Sequence, residues 1–306
     1  MFRRLLPAVL LILAGVSGPG RPPAAAATET PAVRFEVDTP GARAVAEECA
    51  ALWRTEGPRL AARLLPRGTS VDTVTCLVLG TDAFRRTFGD AAPDWGVGLA
   101  LGHGRLVAID HARLPAVGRG VREVFLHEMV HALLFQGARG AILPTWFHEG
   151  TAMHLAGEWR FVDTVSLVLD GRVPDLATLQ GPFPGSAHRA DRAYRTSLLA
   201  VERLLKRHGD DVLVGLVGES AVRGQFAPAF QAVTGESDTA FAAEFAGAMR
   251  LRFGWAVLMT RWPGLFVLLA VAFLVGGARK LVLARRRLAA MEDPDFRRDE
   301  PPTSSH

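Results

Sequence analysis

The chain has 306 residues, of which 49% are hydrophobic, so it can build a sizeable core in one large domain or two small ones. Its formal charge of +4 comes from the two ends, because residues 28–254 hold 24 Lys and Arg against 26 Asp and Glu. The basic balance therefore does not argue for a nucleic-acid partner, and it indicates membrane topology instead.

The first 27 residues have the parts of a secretory signal peptide. Arg3 and Arg4 form a short positive segment, residues 5–15 are apolar but too few to span a bilayer, and residues 24–27 are small enough for cleavage. An uncleaved N-terminal anchor is the alternative. In either case we expect the following chain to be exported, into the periplasm if the bias of Arg over Lys reflects a bacterial source.

Residues 28–118 predict an N-terminal α+β subdomain, because short β-branched runs alternate with helical stretches. The helix should break near Gly57 and Pro58, and Gly102-His103-Gly104 between two short apolar runs is a hairpin signal. The expected elements are a strand at 33–38, a helix at 42–65, a strand at 71–79, a short helix at 82–88 and hairpin strands at 96–101 and 105–110.

Residues 119–254 predict a mainly helical subdomain. Strands followed by helices indicate an α+β fold in which a small sheet lies beside helices, with a cleft between them. The expected helices cover 119–136, 145–157, 190–208, 210–219, 224–233 and 238–252.

The second apolar run, 255–278, contains one charge, Arg261, and is long enough to predict one C-terminal transmembrane helix. The basic residues after this run predict a cytoplasmic tail at 279–306 and a single-pass protein in the cell (inner) membrane, with its N-terminus outside. A helix buried in the protein is the alternative.

The two cysteines, Cys49 and Cys76, do not form a C-x-x-C pair, so a thiolate zinc site is not supported. Outside the cytoplasm they could form a disulfide, and two buried thiols are the alternative.

The segment that indicates chemistry is His127-Glu128-x-x-His131. On a helix, residues four apart share a face, so two imidazoles can bind one metal ion while Glu128 reaches a water beside it. The neighbouring residues are apolar, and buried histidines need polar partners, which a metal ion would supply. Two core histidines that bond to backbone carbonyls are the alternative.

A zinc site needs a third protein ligand and an open position for water. The residues downstream leave four candidates, which are His148, Glu149, His154 and Glu158. A metzincin-type histidine is absent, because Gly137 is followed by Ala-Arg-Gly.

The motif and a second block of residues downstream resemble a known family. His127-Glu128-x-x-His131, followed by Pro144-x-Trp146-x-x-Glu149-Gly150-x-Ala152, is similar to the peptidase-MA-like group of gluzincins, which are relatives of thermolysin and the zinc aminopeptidases. The resemblance covers roughly residues 70–250. It implies a gluzincin-like zincin fold, a Zn²⁺ cofactor and Glu149 as the third ligand.

Three further blocks extend the resemblance, namely Ala193-Tyr194-x-x-Ser197, His208-Gly209 and Thr234-Gly235. By similarity to zinc aminopeptidases, Tyr194 would donate a hydrogen bond to the oxyanion of the tetrahedral intermediate. An ordinary packed tyrosine is the alternative. By the same resemblance, an extended substrate would pair with the edge strand near 96–110.

The other histidines have ordinary interpretations. His148 should point away from Glu149, and His154 should lie about 140° around the helix from it. His103 falls in the predicted turn, and His208 lies at a helix C-terminus. Asp163 and Asp170 could support a ligating histidine.

These observations predict a membrane-anchored zinc metallopeptidase that hydrolyses peptide bonds outside the cytoplasm, with a peptide or protein as substrate. Glu128 would be the general base. One alternative is an inactive gluzincin-fold binding or scaffold protein at the membrane surface, and another is a membrane-assembly component that acts through its tail.

Overall fold

The computed structural model describes residues 28–89, 96–158, 175–183, 187–261 and 263–291. Within them the fold is α+β and mostly helical, as predicted. The predicted signal peptide and most of the predicted tail, together with Asp163 and Asp170, lie outside the described residues.

The strands are β1 (Val33–Val37), β2 (Val74–Leu79), β3 (Gly98–Leu101) and β4 (Leu106–Asp110). The helices are α1 (Pro40–Leu64), α2 (Thr81–Phe88), α3 (Val121–Ala138), α4 (Thr145–Ala156), α5 (Ala187–His208), α6 (Val212–Arg223), α7 (Phe226–Thr234), α8 (Asp238–Arg261) and α9 (Pro263–Met291).

The four strands form one sheet in the order β1-β2-β4-β3. The first three are parallel, and β3 pairs antiparallel with β4, with Leu99 opposite Ala108. The predicted hairpin is confirmed. Its turn takes Gly102, His103 and Gly104 into positive φ, which glycine adopts without steric cost. As a result β3 is an edge strand, and its outer edge is not paired with another described strand.

Helix α1 is continuous, so the predicted break near Gly57 and Pro58 is wrong. Thr39 caps its N-terminus by accepting a hydrogen bond from the Ala42 N–H. Pro58 removes one donor inside the helix, but buried residues on both sides of it, such as Trp53 and Leu60, pack into the core. Tertiary packing therefore overrides the local cost of the proline.

Helix α3 lies at the centre of the molecule. It packs against α1, the sheet, α4 and α6, and most of its residues are buried. On the α1 side, the ring of Phe125 meets Trp53 edge-on at 6.4 Å. Gly104 lies so close to α3 that a Cβ there would be 2.3 Å from the Ala132 carbonyl oxygen. The hairpin therefore runs directly alongside the face of α3 that bears Glu128 and Ala132.

The described part of the C-terminal apolar run is helical. Helix α8 is described to Arg261 and α9 from Pro263, and residue 262 lies outside the described residues. Among the described residues, no helix is both long enough and apolar enough to cross a bilayer. The transmembrane helix predicted at 255–278 is therefore not supported.

Cys49 and Cys76 are both buried, and they are not joined by a disulfide. Burial raises the pKa of the Cys49 thiol to about 12 and raises that of Cys76 well above its usual range. Of the two alternatives, the structure has the pair of buried thiols.

Candidate metal centre

The two histidines of the motif lie one helical turn apart on α3. Their ring centroids are 4.7 Å apart, and their Nε2 atoms approach to 3.0 Å. Helix α3 runs without glycine or proline through this region. It ends at Ala138, and the next residue, Arg139, adopts a left-handed conformation with φ of 50°. Both Nε2 atoms therefore point toward one position in the cleft.

Glu149 brings the third donor from α4. Its Oε2 is 3.3 Å from the Nε2 of His127 and 3.4 Å from the Nε2 of His131. This oxygen is buried and has no hydrogen-bond partner in the described residues. Burial by itself would raise the pKa of the carboxyl, but His131 and His127 hold it below its usual range. Glu149 is therefore an ionised, buried carboxylate whose Oε2 lies beside the Nε2 atoms of both histidines.

The distances among these three atoms fit one metal ion. Four donors at about 2.05 Å around a tetrahedral zinc ion lie about 3.3 Å from one another. The observed separations of 3.0, 3.3 and 3.4 Å match that edge length. Of the four candidates for the third ligand, Glu149 is the one whose donor atom clusters with those of His127 and His131.

Glu158 supports His127 from the other side of its ring. Its Oε1 is 2.7 Å from the Nδ1 of His127, and its Oε2 is 2.5 Å from the Nη2 of Arg119. Burial would lower the pKa of His127, but Glu158 and Glu149 outweigh it and hold that pKa well above its usual range. An N–H on Nδ1 that donates to Glu158 fixes the orientation of the ring and places Nε2 beside Glu149 at the shared position.

His148 supports His131 in the same way. The two Nδ1 atoms are 3.3 Å apart. Burial, followed by the charge of His131, lowers the pKa of His148 to about 3, so its ring is neutral and its Nδ1 can accept a hydrogen bond. The prediction that His148 points away from the site is wrong, because α4 crosses α3 closely enough to bring adjacent residues, His148 and Glu149, to the same histidine.

Glu128 lies between α3 and the edge strand. It is only 8% exposed, and burial raises the pKa of its carboxyl. A Cβ on Gly98 would be 2.4 Å from the Glu128 Oε1, so the side chain lies directly on the backbone of β3. The carboxylate shares the cleft with the three donor residues.

Helix α5 closes the opposite wall of the cleft. A Cβ on Gly150 of α4 would be 2.2 Å from the Ser197 carbonyl oxygen, so the absence of a side chain permits the close crossing of the two helices. This crossing places Tyr194 in the cleft, with its ring edge-on to Phe183 at 5.0 Å. Burial, and then the nearby carboxylates, raise the pKa of Tyr194, so the phenol keeps its proton.

The cleft has a volume of about 880 Å³ and is bounded by β3, α3, α4 and α5. It contains all five residues that the sequence predicted for the site, which are His127, Glu128, His131, Glu149 and Tyr194. As predicted, His154 lies outside it; its environment includes Arg63 and Asp210.

The sequence indicated Glu158 only as a possible ligand and did not single out Arg119. A signal for Glu158 was its position directly after Gly157, which ends α4 in a left-handed turn with φ of 76°.

Comparison of the sequence with protein-family models gave no match, and comparison with curated proteins gave none either.

Proposed function

We propose that this protein is a zinc-dependent hydrolase of peptide bonds. The observation that carries the proposal is the buried Oε2 of Glu149, which lies 3.3 and 3.4 Å from two imidazole nitrogens and has no hydrogen-bond partner among the described residues. Leaving such an acceptor unsatisfied costs about 1–3 kcal/mol, and a cation at the shared position removes that cost. The resemblance of the motif to gluzincins supports the same conclusion.

His127, His131 and Glu149 would hold the metal, which when bound supplies Lewis-acid activation of water and of the scissile carbonyl. Glu158 and His148 hold the two rings in the orientation that frees each Nε2 for this purpose. This donor set of two imidazoles and one carboxylate suits zinc and leaves one position open.

Glu128 is the general base in this proposal. It takes a proton from the attacking water and delivers it to the leaving amine. Its raised pKa suits that role, because a weakly basic exposed carboxylate would be a poorer acceptor near neutral pH. Tyr194 keeps its proton and can donate to the developing oxyanion.

The substrate in this proposal is an extended peptide. The backbone of β3 borders the cleft through Gly98, Leu99 and Ala100, and its outer edge is unpaired among the described strands. A peptide can add to such an edge through main-chain hydrogen bonds, which would place one of its carbonyl groups at the metal centre. The extracytoplasmic location remains a prediction.

The test combines metal stoichiometry with cleavage of a peptide library. We expect about one zinc ion per chain, because one site with three protein ligands binds one ion. The same preparation should hydrolyse peptides at a measurable rate. Glu149→Ala should lose both. Glu128→Gln should keep the zinc and lose hydrolysis, and Glu219→Gln, which changes a partly exposed carboxylate on α6 that pairs with Arg223, should keep both.

Two results would contradict the proposal. If the wild-type protein binds no zinc after reconstitution, the proposed zinc site is excluded. Zinc binding without cleavage of any peptide would instead favour the inactive binding protein.

A further inference from the structure

The cleft continues beyond His131 onto an apolar surface that the proposed chemistry does not use. Phe135 lies one turn of α3 after His131, so His127, His131 and Phe135 share one face of the helix. Its side chain is 38% exposed, and that of Ile142, which lines the same cleft, is 85% exposed. We call Phe135 and Ile142 the apolar patch.

The patch is built on a fixed backbone. The backbone of Ile142 forms a β-bridge with Gln225, which ties the connection between α3 and α4 to the segment before α7. The cleft-lining residues of this connection are uncharged, and they are Gly140, Ala141, Ile142 and Leu143. A large apolar side chain is thus held at the cleft surface, where contact with water is unfavourable.

The patch is continuous with the metal centre. The ring of His148 lies 4.8 Å from the ring of Phe135, and its Nδ1 lies 3.3 Å from His131. Four residues separate Phe135 from His131, which is about 6 Å along α3, and same-face side chains of an extended peptide repeat about every 6.6 Å. A peptide with its carbonyl at the metal centre therefore places a side chain over the patch within two residues.

We propose that the cleft selects peptides that carry a large apolar side chain one or two residues to one side of the bond that is cleaved, seated on Phe135 and Ile142. This inference rests on the proposed function. It names the substrate class of the same site, which is an extended peptide with Leu, Phe or Met at that position.

The experiment uses the full chain loaded with zinc and a degenerate peptide library whose cleavage sites are read by mass spectrometry. We expect large apolar residues to be enriched on one side of the cleaved bond. Phe135→Ser and Ile142→Ser should each lower kcat/KM for an apolar peptide by about 10- to 100-fold, with a smaller effect on its alanine analogue. Phe135→Leu should keep the preference. Leu251→Ser, which changes a residue on α8 that is 87% exposed, should leave it unchanged.

A binding measurement separates failure of this inference from failure of the proposed function. Zinc-loaded Glu128→Gln protein is titrated with fluorescent peptides that differ only by Leu or Ser at the relevant position. Tighter binding of the Leu peptide, lost in the double variant with Phe135→Ser, supports the patch even if the wild type cleaves nothing. Equal binding of the two peptides, or cleavage whose apolar preference survives both serine substitutions, overturns it.

Discussion

Gly98 and Glu128 are in such close contact that the edge strand and the proposed general base position one another. A Cβ on Gly98 would be 2.4 Å from the Oε1 of Glu128 and 2.8 Å from its Cγ. Neither strand nor helix can move away easily, because β3 is paired with β4 and α3 is buried on its other faces. The carboxylate must therefore move if Gly98 gains a side chain.

Gly98→Ala should lower kcat for peptide hydrolysis by about 100-fold, because a misplacement of about 1 Å can cost that much. Zinc content should be unchanged, because the three atoms nearest to a Cβ at Gly98 all belong to Glu128 and not to a donor residue. The measurement is kcat at saturating peptide beside zinc stoichiometry. Gly247→Ala on α8 is the control, since no atom of the described residues lies within 4 Å of a Cβ there. Equal kcat values for the two variants would show that Gly98 does not position Glu128.

Gly150→Ala should destabilise the protein. The added methyl group would lie 2.2 Å from the Ser197 carbonyl oxygen and 2.7 Å from Val201, so α4 and α5 would have to separate. Overpacking of this kind costs about 1–3 kcal/mol, which urea denaturation can resolve. Gly247→Ala should instead be neutral or slightly stabilising. A free energy of unfolding unchanged by Gly150→Ala would mean that the crossing of the two helices is loose.

Glu158→Gln should weaken zinc binding by about 10- to 100-fold, because residues that orient a metal ligand typically contribute that much. The substitution removes the charge that pairs with His127 and Arg119. Competition with a chelator measures the affinity, with Glu219→Gln as the matched control. A chelator midpoint identical to that of the wild type would exclude this role for Glu158.

The buried thiols predict a loss of stability at alkaline pH. The pKa of Cys49 is raised from 9.0 to about 12, so the folded state keeps a proton that the unfolded state releases. The contribution of the Cys49 thiol to the free energy of unfolding is fully present below about pH 9. It is lost as the pH rises from there toward 12. Urea titrations at several pH values should show the decline, and Cys49→Ala should show a smaller one. Equal slopes for the two proteins would contradict the prediction.

The same two thiols can be counted. Cys49 and Cys76 are buried and free, so a disulfide-exchange reagent should react slowly with the native protein. It should titrate both thiols once the chain is unfolded without reductant. Absence of reactive thiols in the unfolded protein would show that the pair is oxidised.

Local patterns predicted the elements well where packing and propensity agree. The four strands, the hairpin at His103 and helices α3 and α4 lie close to their expected positions. Predictions failed where tertiary contacts decide the outcome. Buried neighbours keep α1 continuous through Pro58.

The sequence by itself determined the pair His127 and His131 and the position of Glu128, because helical geometry makes residues four apart neighbours in any fold. The spacing of residues left four candidates for the third donor, and the family resemblance implied Glu149. The tertiary structure brings the Glu149 Oε2 to the two histidines, because that approach depends on how α4 crosses α3. It also placed His148 and Glu158 behind the two histidines and Gly98 against Glu128. These are contacts between separate elements, and their distances are set by the packing of side chains across the core, which no local periodicity encodes.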